Sequence, residues 1–184
     1  MIQRKKNLIL LGIIIIILGV GIFFVIKKEP SKDYAVISNE DYKNTSYTID
    51  GQTITLKDGI SINEIAPNSA SKSTTKYFGN EVKADLDGDG LQDIAFLITN
   101  DNGGSGTFYY LVAAINTKNG YVGTNAVLLG DRVAPQSTEF KNGEIIVNFA
   151  DRLPTEPMTT KPSIGISKYF KVVDNKLIES TNLN

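Results

Sequence analysis

The 184-residue chain contains no cysteine, no histidine and no tryptophan. Without cysteine there are no disulfide staples and no thiolate chemistry, so apolar burial and any bound ion must hold the fold. Without histidine or cysteine, Ser-His-Asp and Cys-His nucleophilic systems are excluded, and so are zinc and haem sites built on those ligands. A lipid-modified cysteine is excluded as an anchor in the same way. Basic charge is scarce beyond the amino terminus. Residues 1–30 hold five of the 19 Lys and Arg and one of the 20 Asp and Glu, leaving 154 residues with 14 basic and 19 acidic side chains, net −5. That balance argues against nucleic acid as a partner, because its binders carry basic patches. Long helical periodicity is also missing after the first thirty residues.

The amino terminus carries one long apolar run. Leu8 to Ile26 is 19 residues without a charge, and at 1.5 Å per residue it spans roughly 28 Å, the thickness of a hydrocarbon core. Arg4, Lys5 and Lys6 precede it and Lys27 and Lys28 follow. A cleavable signal peptide has a shorter apolar region and a small-residue cleavage site, and neither is present. Type IV pilins carry an acidic residue just inside their apolar helix, and this run has none. Residues 1–28 therefore read as an uncleaved signal anchor, a single transmembrane helix crossing the lipid bilayer through residues 8–26. The basic residues, more numerous before the span than after it, favour a cytoplasmic amino terminus and an extracytoplasmic carboxy-terminal domain.

Residues 29–46 are polar and read as a juxtamembrane linker with a short strand at Tyr34 to Ile37. From Tyr47 to the end, short β segments alternate with turn residues. Asp50-Gly51 and Asn142-Gly143 are strong two-residue hairpin signals, and Asp174-Asn175 is a weaker one. Strands are expected at 47–49, 52–56, 60–62, 76–78 with Val82, 94–98, 107–115, 126–129, 139–141, 144–149, 164–173 and 177–178. The run 107–115 is expected to be the longest. The expected fold class is mostly β: one antiparallel domain over 47–184, a sandwich or a half-open barrel.

Asp85-Leu86-Asp87-Gly88-Asp89-Gly90-Leu91-Gln92-Asp93 carries the chemistry. Asp at the first, third and fifth positions sets three hard oxygen ligands on one side of a tight turn. Gly90 permits the bend, the Leu91 carbonyl offers a backbone oxygen, and Asp93 adds a fourth carboxylate. Four carboxylates this close repel one another unless a cation sits among them, and Ca²⁺ is the expected ion. An Asp/Gly-rich turn can also form without metal, yet such a turn gains nothing from four acids in register. A helix-loop-helix site would place a bidentate Glu three residues after Asp93, where Phe96 stands. The apolar run Ile94 to Ile98 that follows the loop reads as a buried strand, which predicts a strand-loop-strand site.

The pattern Asp-x-Asp-x-Asp-Gly-x-x-Asp-Ile resembles the calcium loop of FG-GAP repeats, found in integrin α-chain propellers and bacterial surface proteins, and its first half resembles dockerin loops. By position, that resemblance implies ligation by Asp85, Asp87, Asp89, Asp93 and the Leu91 carbonyl. A single copy does not make a propeller. A wider stretch, about Tyr47 to Lys171, is similar to membrane-anchored proteins of uncultivated candidate-phylum bacteria, a family with no assigned activity. That similarity rests on Tyr77-Phe78-Gly79-Asn80-Glu81, the run Gly103 to Tyr110, Gly120-Tyr121-Val122-Gly123, Leu129-Gly130-Asp131-Arg132 and Ala150-Asp151-Arg152. It implies location and domain limits only.

Other sites are weaker. Gly103-Gly104-Ser105-Gly106 lacks the Lys and the following helix of a phosphate loop and reads as a hairpin turn. Glu81, Asp131, Glu139, Asp151 and Glu156 could supply the carboxylate pair of a glycosidase-type hydrolase. Asp131-Arg132 and Asp151-Arg152 read first as ion pairs or turn caps. Glu81 is placed to act as an outer neighbour of the calcium loop. The expectation is a non-enzymatic, membrane-anchored calcium-binding domain with a structural or adhesive role toward an envelope protein or glycan. The alternatives are a cell-envelope hydrolase, or an inhibitor or binding module with an aromatic patch at Tyr109, Tyr110 and Tyr121.

Overall fold

A computed structural model describes residues 41–65, 68 and 70–180. The apolar run 8–26 and the strand expected at Tyr34 to Ile37 lie outside the described residues. Among the described residues, no helix is long and apolar enough to cross a membrane. A 3₁₀ turn, Asp41–Asn44, leads into β1 (Ser46–Ile49), β2 (Gln52–Thr55), β3 (Ile60–Glu64), β4 (Lys72–Ala84), β5 (Asp93–Asp101) and β6 (Phe108–Thr117). β7 (Gly120–Gly123), β8 (Val127–Asp131), β9 (Ala134–Lys141), β10 (Glu144–Asp151), β11 (Ile164–Val173) and β12 (Lys176–Glu179) follow. The protein is mostly β, and the paired strands are antiparallel throughout, as expected.

The chain reverses at two-residue turns whose central positions both sit at positive φ: Asp50 and Gly51 at 48° and 80°, Asn142 and Gly143 at 54° and 76°, Asp174 and Asn175 at 49° and 57°. That handedness matches the twist of the flanking strands, which is why Asn, Asp and Gly mark these hairpins in the sequence. β1 and β2 pair across the first turn. β9, β10, β11 and β12 form a four-stranded sheet in the order β12-β11-β10-β9. The remaining strands form a six-stranded sheet ordered β3-β4-β5-β6-β7, with β8 lying beside β7 along the same edge of β6.

β5 and β6 are covered on both faces. Ala95, Leu97, Leu111, Ala113 and Ile115 pack against Ile145, Val147, Phe149, Phe170 and Val172 of the four-stranded sheet. On the opposite face, Ile94, Phe96, Ile98, Tyr110 and Val112 pack against Tyr42, Tyr47, Ile49 and Leu56. This double burial explains why Ile94 to Ile98 is continuously apolar instead of alternating. The three layers are thus the β1–β2 hairpin, the six-stranded sheet and the four-stranded sheet.

Three expectations differ from the structure. The longest strand is β4 at 13 residues, not the one containing 107–115, which has ten. Bulges between Tyr77 and Val82, with Gly79 and Asn80 at φ 112° and 52°, break the alternation of β4 and hide its length in the sequence. β9 starts at Ala134, not near 139; it is an edge strand, where Pro135 costs no ladder bond. Tyr42, in the stretch expected to be linker, is buried. Its ring meets Phe96 edge-on at 5.3 Å, and its carbonyl accepts the Tyr47 hydroxyl at 2.6 Å.

Candidate metal centre

The acidic loop joins the adjacent antiparallel strands β4 and β5, with Ala84 paired to Asp93 at its base. It is the strand-loop-strand arrangement expected from the flanks, and Phe96, at the position of a helix-loop-helix glutamate, is fully buried. Each carboxylate is fixed by backbone amides of the same loop. Gly88 N–H donates to Asp85 Oδ1 at 2.8 Å and Gly90 N–H to Asp85 Oδ2 at 3.0 Å. Asp89 N–H donates to Asp87 Oδ1 at 3.1 Å and Leu91 N–H to Asp89 Oδ1 at 2.7 Å. Gly88 and Gly90 turn the chain at φ 87° and 86°, conformations a side chain would resist.

Asp85, Asp87 and Asp89 are exposed, and one carboxylate oxygen from each lies within 4.8 Å of the others. Two oxygens on one Ca²⁺ at about 2.4 Å can be at most about 4.8 Å apart, so the spacing fits a shared ion of that size. All the donors are hard oxygens, which suits Ca²⁺ or Mg²⁺ and disfavours softer metals.

Asp93 stands apart from that exposed trio. It is fully buried; Oδ2 accepts the Leu86 N–H and Oδ1 the Asn116 N–H, both at 2.8 Å. Burial pushes its carboxyl above the ordinary value. The two amide bonds oppose that shift, and the charges of Asp87 and Asp89 reinforce it. Leu91 is half-buried beside it. Leu86, which the sequence reading passed over, is buried in the core between the two larger sheets and roots the loop. Its apolar side chain amid four acids was the available signal. Asn116 is a second missed residue: besides bonding Asp93, its side-chain amide donates to Gln92 O at 3.2 Å. No local motif could have announced that pairing across 23 residues.

The other acids are occupied elsewhere. Glu81 accepts the hydroxyls of Tyr42 at 2.8 Å and Tyr77 at 2.9 Å and pairs with Lys83 at 3.4 Å. Those partners tie it to the aromatic cluster of the outer layer. Asp131 pairs with Arg132 at 3.1 Å and accepts the Thr107 N–H at 2.9 Å. Asp151 accepts the Arg152 N–H at 2.7 Å, and the buried Arg152 guanidinium donates to the carbonyls of Arg132, Asp131 and Thr160. The two Asp-Arg dipeptides therefore come together as one turn-capping network. Glu139 accepts from Ser137 and Asn148, and Glu156 caps the Leu153 N–H. Tyr110 is buried with its hydroxyl on Asp50 at 3.0 Å, Tyr109 packs edge-on against Phe78, and Tyr121 packs on the outer core. Those three tyrosines make no single exposed patch. No protein-family profile, curated protein sequence or solved structure matches the chain.

Proposed function

We propose that the domain binds one Ca²⁺ through the carboxylates of Asp85, Asp87 and Asp89 and the Leu91 carbonyl, with Asp93 at the base of the site. The observation that carries this reading is the gathering of three exposed carboxylate oxygens within 4.8 Å on a loop whose amides already orient them. The ion offsets the repulsion among these acids and ties the β4–β5 junction. Asp93 then has two roles: it fixes the loop to β5 and β6, and it adds negative charge beneath the ion. At a calcium concentration ten times Kd, linkage supplies roughly 1.4 kcal/mol, a noticeable part of a domain's stability.

The rest of the reading follows from the sequence. Residues 8–26 anchor the chain in the membrane with the amino terminus inside, so that the β domain faces calcium-rich surroundings outside. The domain, a β-sandwich carrying an extra hairpin layer, acts as a structural or adhesive element and not as an enzyme. The engagement of Asp131 and Asp151 with arginines supports this over the hydrolase alternative. The test is a thermal melt of the full chain in detergent, with chelator and then with about 1 mM Ca²⁺. A rise in Tm with calcium, absent in Asp87→Ala, supports the site; identical melts count against it.

A further inference from the structure

β2 and β3 leave the Asp58–Gly59 turn as a hairpin that does not stay closed. Lys57 N–H donates to Ile60 O at 2.8 Å and Ile60 N–H to Lys57 O at 3.0 Å. Beyond that pair the arms separate: β2 pairs with β1, and β3 pairs with β4. Leu56 N–H already bonds Thr45 O, and Tyr77 N–H bonds Gly59 O, which draws the arms into different layers. Between them lies a cleft of about 340 Å³ lined by Thr53, Thr55, Lys57, Ile60, Ile62 and Asn63. Asn63 is shared with a neighbouring cavity of about 430 Å³ lined by Asp50, Gln52 and Glu64 and backed by Phe108 and Tyr110.

The register says what the walls offer. In an antiparallel ladder, successive residues turn their N–H and C=O groups to opposite edges. Ile60 faces Lys57, so Ser61 faces β4 and Ile62 faces the cleft. Lys57 faces Ile60, so Leu56 faces β1 and Thr55 and Thr53 face the cleft. Thr53, Thr55 and Ile62 thus present backbone donors and acceptors from opposite walls, with no strand opposite them among the described residues. Two other edges are blunted by charge or proline: β9 carries Pro135, Glu139 and Lys141, and β12 carries Lys176 and Glu179. β2 reads Gln-Thr-Ile-Thr and β3 begins Ile-Ser-Ile-Asn, without charge or proline, and Ile60 and Ile62 are 46% and 59% exposed.

We propose that this cleft takes an extended peptide segment by strand addition, whether or not the acidic loop binds an ion. The occupant is one free strand, because an edge strand of a second folded copy arrives with its own sheet attached. Asp50 and Glu64 line the neighbouring cavity, which has no cationic side chain among its lining residues, whereas Lys57 lines the closed end of the cleft. A segment that runs past Asn63 therefore carries its Lys or Arg at the end over Asp50 and Glu64. Apolar, β-branched residues alternate along the remainder and meet Ile60 and Ile62.

The test is selection of displayed random heptapeptides against the full chain in detergent, followed by amide exchange on the complex. The expected winners lack proline, carry Lys or Arg, and slow exchange at Thr53, Thr55 and Ile62 by about tenfold or more. Ile62→Pro removes an N–H that the β3–β4 ladder does not use, so it leaves Tm within a few degrees and weakens binding about tenfold, whereas Ile62→Val binds normally. No enriched peptide, or peptides that bind Ile62→Pro equally and leave those amides unprotected, overturns the proposal. Protection of the same amides by concentration-dependent dimerisation without peptide overturns it in favour of self-association.

Discussion

Asp93 Oδ2 accepts the Leu86 N–H at 2.8 Å, so the residue that begins β5 also closes the loop seven residues behind it. Its other oxygen accepts the Asn116 N–H on β6. Removing this carboxylate strands the buried Leu86 amide, at about 1–3 kcal/mol, and the half-buried Asn116 amide, at less. Asp93→Ala is therefore expected to lose about 3 kcal/mol in urea denaturation even with chelator present. Asp87→Ala, an exposed position, is expected to change chelated stability by less than about 0.5 kcal/mol. Equal losses for the two variants would contradict the distinction between base and rim.

Glu81 makes the outer aromatic layer sensitive to acid. Burial pushes its carboxyl up, but the hydrogen bonds from Tyr42 and Tyr77 and the Lys83 charge outweigh that and hold it below the ordinary 4.5. A lowered folded value contributes stability above the unfolded value, and that contribution is lost as pH falls through the folded one. Glu81→Gln should thus lose less stability than the parent chain as pH falls below the ordinary carboxylate value. Parallel pH profiles of Tm would refute this.

Gly123 lies against the hairpin layer. A Cβ at this position would sit 2.2 Å from Ser46 O and 2.7 Å from Tyr47 Cδ1. Gly123→Ala must push β1 away from β7, at about 1–3 kcal/mol. Gly51→Ala meets no atom within 4 Å, yet φ of 80° strains it, so its cost is a backbone effect alone. Exchange measurements separate them: Gly123→Ala loosens the contact of Thr48 with 124–126, and Gly51→Ala frays the β1–β2 turn.

The phenols give an alkaline signature. Burial, first of all, raises Tyr42, Tyr47, Tyr77 and Tyr110 above 10, with Tyr110 pushed up to about 12. Their contribution is complete below the unfolded value and is lost as pH rises through the folded values. Phenolate absorbance from these four should appear together with loss of β-sheet circular dichroism. Titration ahead of unfolding would show that the outer core is open to water.

Much of this was legible in the sequence because it is local. Asp50-Gly51, Asn142-Gly143 and Asp174-Asn175 encode their turns in two residues, and Ile94 to Ile98 announces a strand buried on both faces. The acid trio was readable because ligand spacing along a tight loop is spacing in space. What stayed hidden depends on distant partners. β4 was split by its own bulges, Tyr42 joins the core through Phe96 on another element, and Asn116 reaches Asp93 across 23 residues. The parting of β2 and β3 is set by bonds to Thr45 and Tyr77 outside the hairpin, which pattern alone does not reveal.

The central claim is that Asp85, Asp87 and Asp89 hold calcium. Calorimetric titration of the full chain in detergent with CaCl₂, beside the Asp87→Ala, Asp89→Ala variant, tests it most directly. The expected result is saturable uptake of about one ion per chain with Kd near or below millimolar, absent from the variant. No uptake at several millimolar calcium, or equal uptake by the variant, would contradict it and leave the loop an acidic turn held by its own amides.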